Sequence, residues 1–169
     1  EAAAAAPDHA QLVPWRFVLV PASARAALAD AFEQSLAERD AQATAQERAQ
    51  AREKAFRSPV LLLAVARLSG PGDTCLAEEP RALEVPDAER LLSAGCAIQN
   101  MLLMATALGF GSSLTSGKAL DSAGFRALFS LAPGEQALCF ISIGTPTQRK
   151  PARPLADAGR YLSTLQVRP

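Results

Sequence analysis

Histidine and cysteine are scarce in this chain, and most metal and nucleophile chemistries are excluded with them. One histidine, His9, and three cysteines, Cys75, Cys96 and Cys139, are spread over 169 residues. The cysteines are odd in number and lack CxxC spacing, so neither a disulfide framework nor a zinc site follows from them. Cys96 and Cys139 have apolar neighbours, where a free thiol acts as a small core residue. A reducing, cytoplasmic location is therefore expected, with no bound metal. Excess charge is missing as well: seventeen basic residues balance seventeen acidic ones. No global field draws the chain to nucleic acid or an anionic membrane, and no basic stripe appears. No apolar run reaches the ~20 residues that cross a bilayer, and the first residues lack the basic region of a signal peptide.

What is present concentrates near the start. Pro7-Asp8-His9 and Pro14-Trp15-Arg16-Phe17 place the only histidine and the only tryptophan in one loop ahead of an apolar run. Loops held between rigid elements are where function collects. Upstream stand only Glu1 and five alanines, which read as a helix cut from a longer parent. The length fits one domain, 1–169, with enough chain for a substantial core.

Pattern then predicts the elements. Residues 17–20 and 60–66 read as buried strands, the second uniformly apolar. A helix capped by Ser23 is expected to about residue 38, followed by a solvated helix over 41–57 that shapes access to a site. Residues 69–86 read as a long loop. Asp87 is a plausible N-cap for a helix to Leu108, stopped by Gly109. Its apolar residues cover nearly the whole circumference, which requires protein on all sides and points to a second subunit. An extended segment over 110–117, a short helix from Asp121 and a strand over 137–143 complete an α+β or α/β sandwich.

Four stretches carry a resemblance. They are Pro7–Phe17, then Ser93-Ala94-Gly95-Cys96-Ala97-Ile98-Gln99-Asn100, then Ala107–Ser112, and last Phe140-Ile141-Ser142-Ile143-Gly144-Thr145-Pro146. In this order they resemble the nitroreductase family of flavin enzymes, and its small, minimal branch most of all. The resemblance implies an α+β fold: a central mixed sheet flanked by helices, with a long buried central helix. It implies FMN at a homodimer interface and NAD(P)H as co-substrate. Hydride would pass by a ping-pong relay to a nitroaromatic or quinone-like small-molecule acceptor. The cofactor carries the hard chemistry, so no catalytic side chain is assigned.

Site residues follow from the same resemblance. His9 matches a flavin-contacting position, reaching the ribityl chain or phosphate. Leu114-Thr115-Ser116 fall where the branch has Trp-Arg-Ser against the flavin, so an aromatic and a cation are absent. Arg149 and Lys150 match a phosphate-binding position. Each also has a bland reading: a loop histidine, a strand-to-turn passage, a solvated tail. Trp15 reads as packing, and Gln99 and Asn100 as interface groups. Ala5 stands where the branch carries an arginine, and the family's N-terminal Arg-Arg-Ser motif has no counterpart here. An alternative therefore stays open, a non-catalytic or flavin-poor dimeric small-ligand-binding relative. A dehydrogenase or dehalogenase on the same fold is a third reading.

Overall fold

The computed structural model describes residues 1–70, 85–148 and 154–167. Most of the loop expected over 69–86 lies outside these residues. Residues Ala2–Ala5 form a 3-10 turn in place of the expected helix end. A second such turn, His9–Gln11, leads into β1, Trp15–Leu19. A 3-10 turn at Ala22–Ala24 opens α1, Arg25–Arg39, and α2 follows at Ala45–Glu53. Then come β2, Val60–Arg67, α3, Asp87–Ala107, and β3, Gly111–Thr115. Helix α4, Ala123–Leu128, and β4, Glu135–Gly144, end the core.

The strand order is β1-β2-β4-β3. Each of the three pairings is antiparallel, which corrects the mixed sheet expected from the resemblance. The apolar run of β2 reflects its central place with both faces covered, a condition that antiparallel strands also meet. Alternation sends Leu61, Leu63 and Val65 to one face, against Leu28 of α1 and Phe125 of α4, beside Phe140 of β4. Ala64 and Ala66 point to the other face, against Ile98, Ala94 and Ala97 of α3. A register shift between Ala64 and Val65 opposes Ala64 to Cys139 and Val65 to Ala137. Leu138 is thus an inserted residue, a β-bulge.

Helix α3 departs from its expected all-round burial. It buries Arg90, Ser93, Ala94, Ala97, Ile98 and Ala105, while Leu92, Leu103 and Met104 are exposed in the single chain. Its N-cap is Pro86; Asp87 instead accepts from Ser69 N at 2.7 Å and Ser69 Oγ at 2.6 Å. Gly109 ends it at φ 84, the left-handed conformation that favours glycine. Ser122, not Asp121, caps α4, accepting from Phe125 N at 3.3 Å.

Candidate functional site

Helix α2 is largely solvated, as expected, with only Ala51 buried, and its docking on α1 forms one wall of the site. Thr44 and Glu47 form a reciprocal capping box: Glu47 N donates to Thr44 Oγ1 at 3.2 Å, and Thr44 N donates to Glu47 Oε2 at 2.8 Å. The hydrogen bonds from the Thr44 backbone and hydroxyl hold the Glu47 carboxyl below its ordinary range. Arg52 ties α2 to α1 through Asp30 and, at 2.7 Å, Glu33. Buried Arg25 donates to Ala55 O at 2.6 Å and to Ser58 O and Pro59 O at 3.3 Å. It fastens the segment after α2 to the start of α1.

Between α1, α2 and the end of β3 lies a cavity of about 550 Å³. Phe32, Leu36, Leu120 and Phe140 give it an apolar floor, and Thr115, Ser116 and Gly117 form one rim. A side lobe of about 200 Å³ adds Ser113 and Ser142 beside Lys54 and Arg57. Arg39, Lys54, Arg57 and Lys118 all line the main cavity. None of these four side chains has a hydrogen-bond or ion-pair partner among the described residues. Most other described arginines are engaged, for example Arg16 with Glu135 and Arg126 with backbone carbonyls. Unpaired cations converging on one cleft raise the local concentration of an anion.

Thr115 and Ser116 are therefore brought together at the cavity rim. Leu114 pairs with Ile141 and Thr115 with Phe140, so strand alternation turns Leu114 to the α3 face, where it is 48% exposed. His9 is also elsewhere. Its Nδ1 lies 2.7 Å from Glu89 Oε2 on the first turn of α3, and it is absent from the cavity lining. Arg149 and Lys150 lie outside the described residues. Trp15 packs on Ala66, Ala94 and Ala97, as the packing reading expects. Among the described residues no cluster of His, Cys, Asp and Glu could hold a metal, and no helix is long and apolar enough to cross a membrane.

The loop bearing His9 is strained. Ala10, Gln11 and Val13 have φ of 57, 54 and 47, each costing roughly 1–2 kcal/mol. Asp8 Oδ2 accepts from Val13 N at 2.6 Å, and Leu12 is buried beside Val85, which together hold this shape. Backbone strain of this kind persists where surrounding contacts over-determine it.

Sequence reasoning assigned 41–57 to access and did not name Gln50, Lys54 and Arg57 as wall residues. Their signal was a run of polar and basic residues with few apolar anchors, which a solvated helix shares.

The fold and cleft define an α+β protein with a helix-covered antiparallel sheet and a cationic, apolar-floored cavity. The Nitroreductase family model matches residues 1–145, and the chain belongs to that family. It is 30% identical over 141 residues to the Escherichia coli (strain K12) protein named "Putative NAD(P)H nitroreductase YdjA", spanning 83% of this chain and 70% of that one. A nitroreductase-like family protein from Bacillus cereus shares the fold at TM-score 0.72 and 20% identity, over 97% of this chain and 80% of that chain. The FMN- and NADPH-dependent nitroreductase NfnB from sphigopyxis sp. strain HMH does so at TM-score 0.68 and 18% identity, over 95% and 84%.

Proposed function

We propose that this chain is an FMN-dependent NAD(P)H oxidoreductase that reduces nitroaromatic or quinone-like compounds by a ping-pong relay, as a homodimer. The observation that carries this is the cleft: unpaired cations around an apolar floor, in a member of the nitroreductase family. A volume of about 550 Å³ falls within the ~300–1,000 Å³ of small-molecule and cofactor sites. FMN, when bound, supplies two-electron hydride chemistry on a planar ring.

The chain's own residues bind and orient. Phe32, Leu36 and Phe140 offer the apolar surface and exclude water. Backbone groups of Thr115, Ser116 and Gly117 serve the polar ring edge. Lys54 and Arg57, with Ser113 and Ser142 in the side lobe, serve the anionic end. Arg149 and Lys150 are the further phosphate partners that the family resemblance implies. His9 sits on the α3 side of the sheet, so it reaches a flavin from a second copy across a subunit interface.

Two features support the dimer. Leu92, Leu103, Met104 and Leu108 of α3 and the turn after it are exposed, and so are Leu155, Tyr161, Leu162, Leu165 and Val167 of the tail. Large apolar side chains left exposed on α3 and on the tail are what a subunit interface covers.

The purified full-length protein should be yellow, with flavin absorbance bleached by NADPH. A colourless full-length protein that binds no added FMN overturns the reading. The alternative, a non-catalytic dimeric ligand binder, draws on Leu114 and Thr115, which stand where the small branch carries its aromatic and its cation. FMN titration followed by nitrofurazone turnover separates the two.

A further inference from the structure

The cleft holds more cationic charge than its side lobe uses. Lys54 and Arg57 line both the main cavity and the side lobe, whereas Arg39 and Lys118 line the main cavity alone. The side lobe lies against the strand positions Ser113 and Ser142, which pair with each other close to the end of β4. The flavin reading above assigns that side lobe, with Lys54 and Arg57, to the phosphate. Arg39, at the last turn of α1, and Lys118, just past Ser116 and Gly117, line the main cavity outside that side lobe and are left over from the phosphate assignment.

Neither has a partner among the described residues. Glu47 is the one carboxylate lining the main cavity. Both of its hydrogen bonds from Thr44 fall on Oε2, at 2.8 Å each, and hold it as a helix cap. It forms no ion pair with Arg39 or Lys118. Two unsatisfied cations thus face a ring-sized apolar floor made by Phe32, Leu36, Leu120 and Phe140.

The geometry points to an acceptor that carries a carboxylate beside its reducible ring, held by Arg39 and Lys118. This rests on the flavin oxidoreductase reading above and names its substrate class. For a nitrobenzoate, NAD(P)H gives up a hydride and becomes NAD(P)+. The nitro group takes those two electrons with two protons, one N–O bond breaks, and nitroso product and water leave. The carboxylate stays intact and serves only to anchor the ring.

The test compares 4-nitrobenzoate with its methyl ester on the FMN-loaded full-length enzyme. The ester group withdraws electrons more strongly, so intrinsic reactivity favours the ester and any preference for the acid is a binding effect. We expect kcat/KM for the acid to exceed that for the ester by about tenfold, the discrimination of one charge-assisted hydrogen bond. The ratio should fall toward one in Arg39→Gln and Lys118→Gln, recover in part in Arg39→Lys, and shrink with added salt. Turnover of both compounds with the ester equal or better overturns the anionic-acceptor proposal and leaves the oxidoreductase reading standing. Failure to turn over these two compounds or any other nitro compound overturns the reading itself. If Arg39→Gln raises KM for NADPH but not NADH while the acid-to-ester ratio holds, the anion is the nucleotide phosphate and the proposal fails.

Discussion

Glu135 shows what a single residue does for this fold. It is buried at the start of β4, where Arg16 Nε donates to Oε1 at 2.5 Å and Nη2 to Oε2 at 2.7 Å. Ala132 N adds a bond at 3.1 Å, and Arg67 Nε stands 3.9 Å away. The Arg16 hydrogen bond, against the opposing effect of burial, holds the Glu135 carboxyl below its ordinary range. A carboxyl depressed in the folded state stabilises fully above its unfolded pKa, and that contribution is lost as pH falls through the folded value. Glu135→Gln should cost roughly 2 kcal/mol at neutral pH, below the ~3–5 kcal/mol of a fully buried pair because Arg16 is partly exposed. Urea unfolding across pH checks this: the gap between the two proteins should close in acid. A gap that stays constant would show that packing, not charge, is responsible.

At the scale of elements, the cleft depends on how closely the segment after α2 meets the end of β4. Gly144 is the point of contact. A Cβ there would lie 2.8 Å from Pro59 Cδ and 2.9 Å from Pro59 Cγ. Pro59 is fixed in turn, since its carbonyl accepts from Arg25 Nη2 at 3.3 Å. Gly144→Ala should therefore displace the segment carrying Arg57 and destabilise by about 1–3 kcal/mol. Flavin affinity should weaken with it, read by FMN titration beside a melting curve. Unchanged affinity and stability would mean that Pro59 moves freely. Most elements were legible from pattern. The strand alternation, the Gly109 stop and the hydroxyl-rich extension before Gly117 each depend on local rules that hold wherever the segment sits. The antiparallel pairing was not legible, because a strand covered on both faces is apolar in either type of sheet. The burial of α2's inner face was also hidden, since it rests on Ala51 and on the ion pairs of Arg52 with α1.

At the scale of the whole molecule, the proposed homodimer accounts for both the exposed face of α3 and the position of His9 away from the cleft. Leu92 is 69% and Leu103 58% exposed, values that a solitary chain would leave as an apolar patch. The protein should run as a dimer at micromolar concentration in analytical ultracentrifugation. Leu92→Glu with Leu103→Glu should give a monomer with weaker FMN retention. A stable wild-type monomer would remove the interface argument and isolate His9 from any flavin.

The sequence by itself determined the class of protein. Loop, central helix and last strand stand in family order, and the resemblance they carry implies the α+β fold and a flavin without any coordinates. The same resemblance singled out Thr115 and Ser116, which line the cavity. Only the tertiary structure decided which cations face that opening. Arg39, Lys54, Arg57 and Lys118 come from separate stretches of chain and gather because two helices pack across the sheet. The turning of Leu114 from the cleft and the pairing of His9 with Glu89 were decided the same way. Local pattern sets periodicity and stops. Which side chains share a space depends on contacts between segments far apart in sequence, and no local rule encodes those.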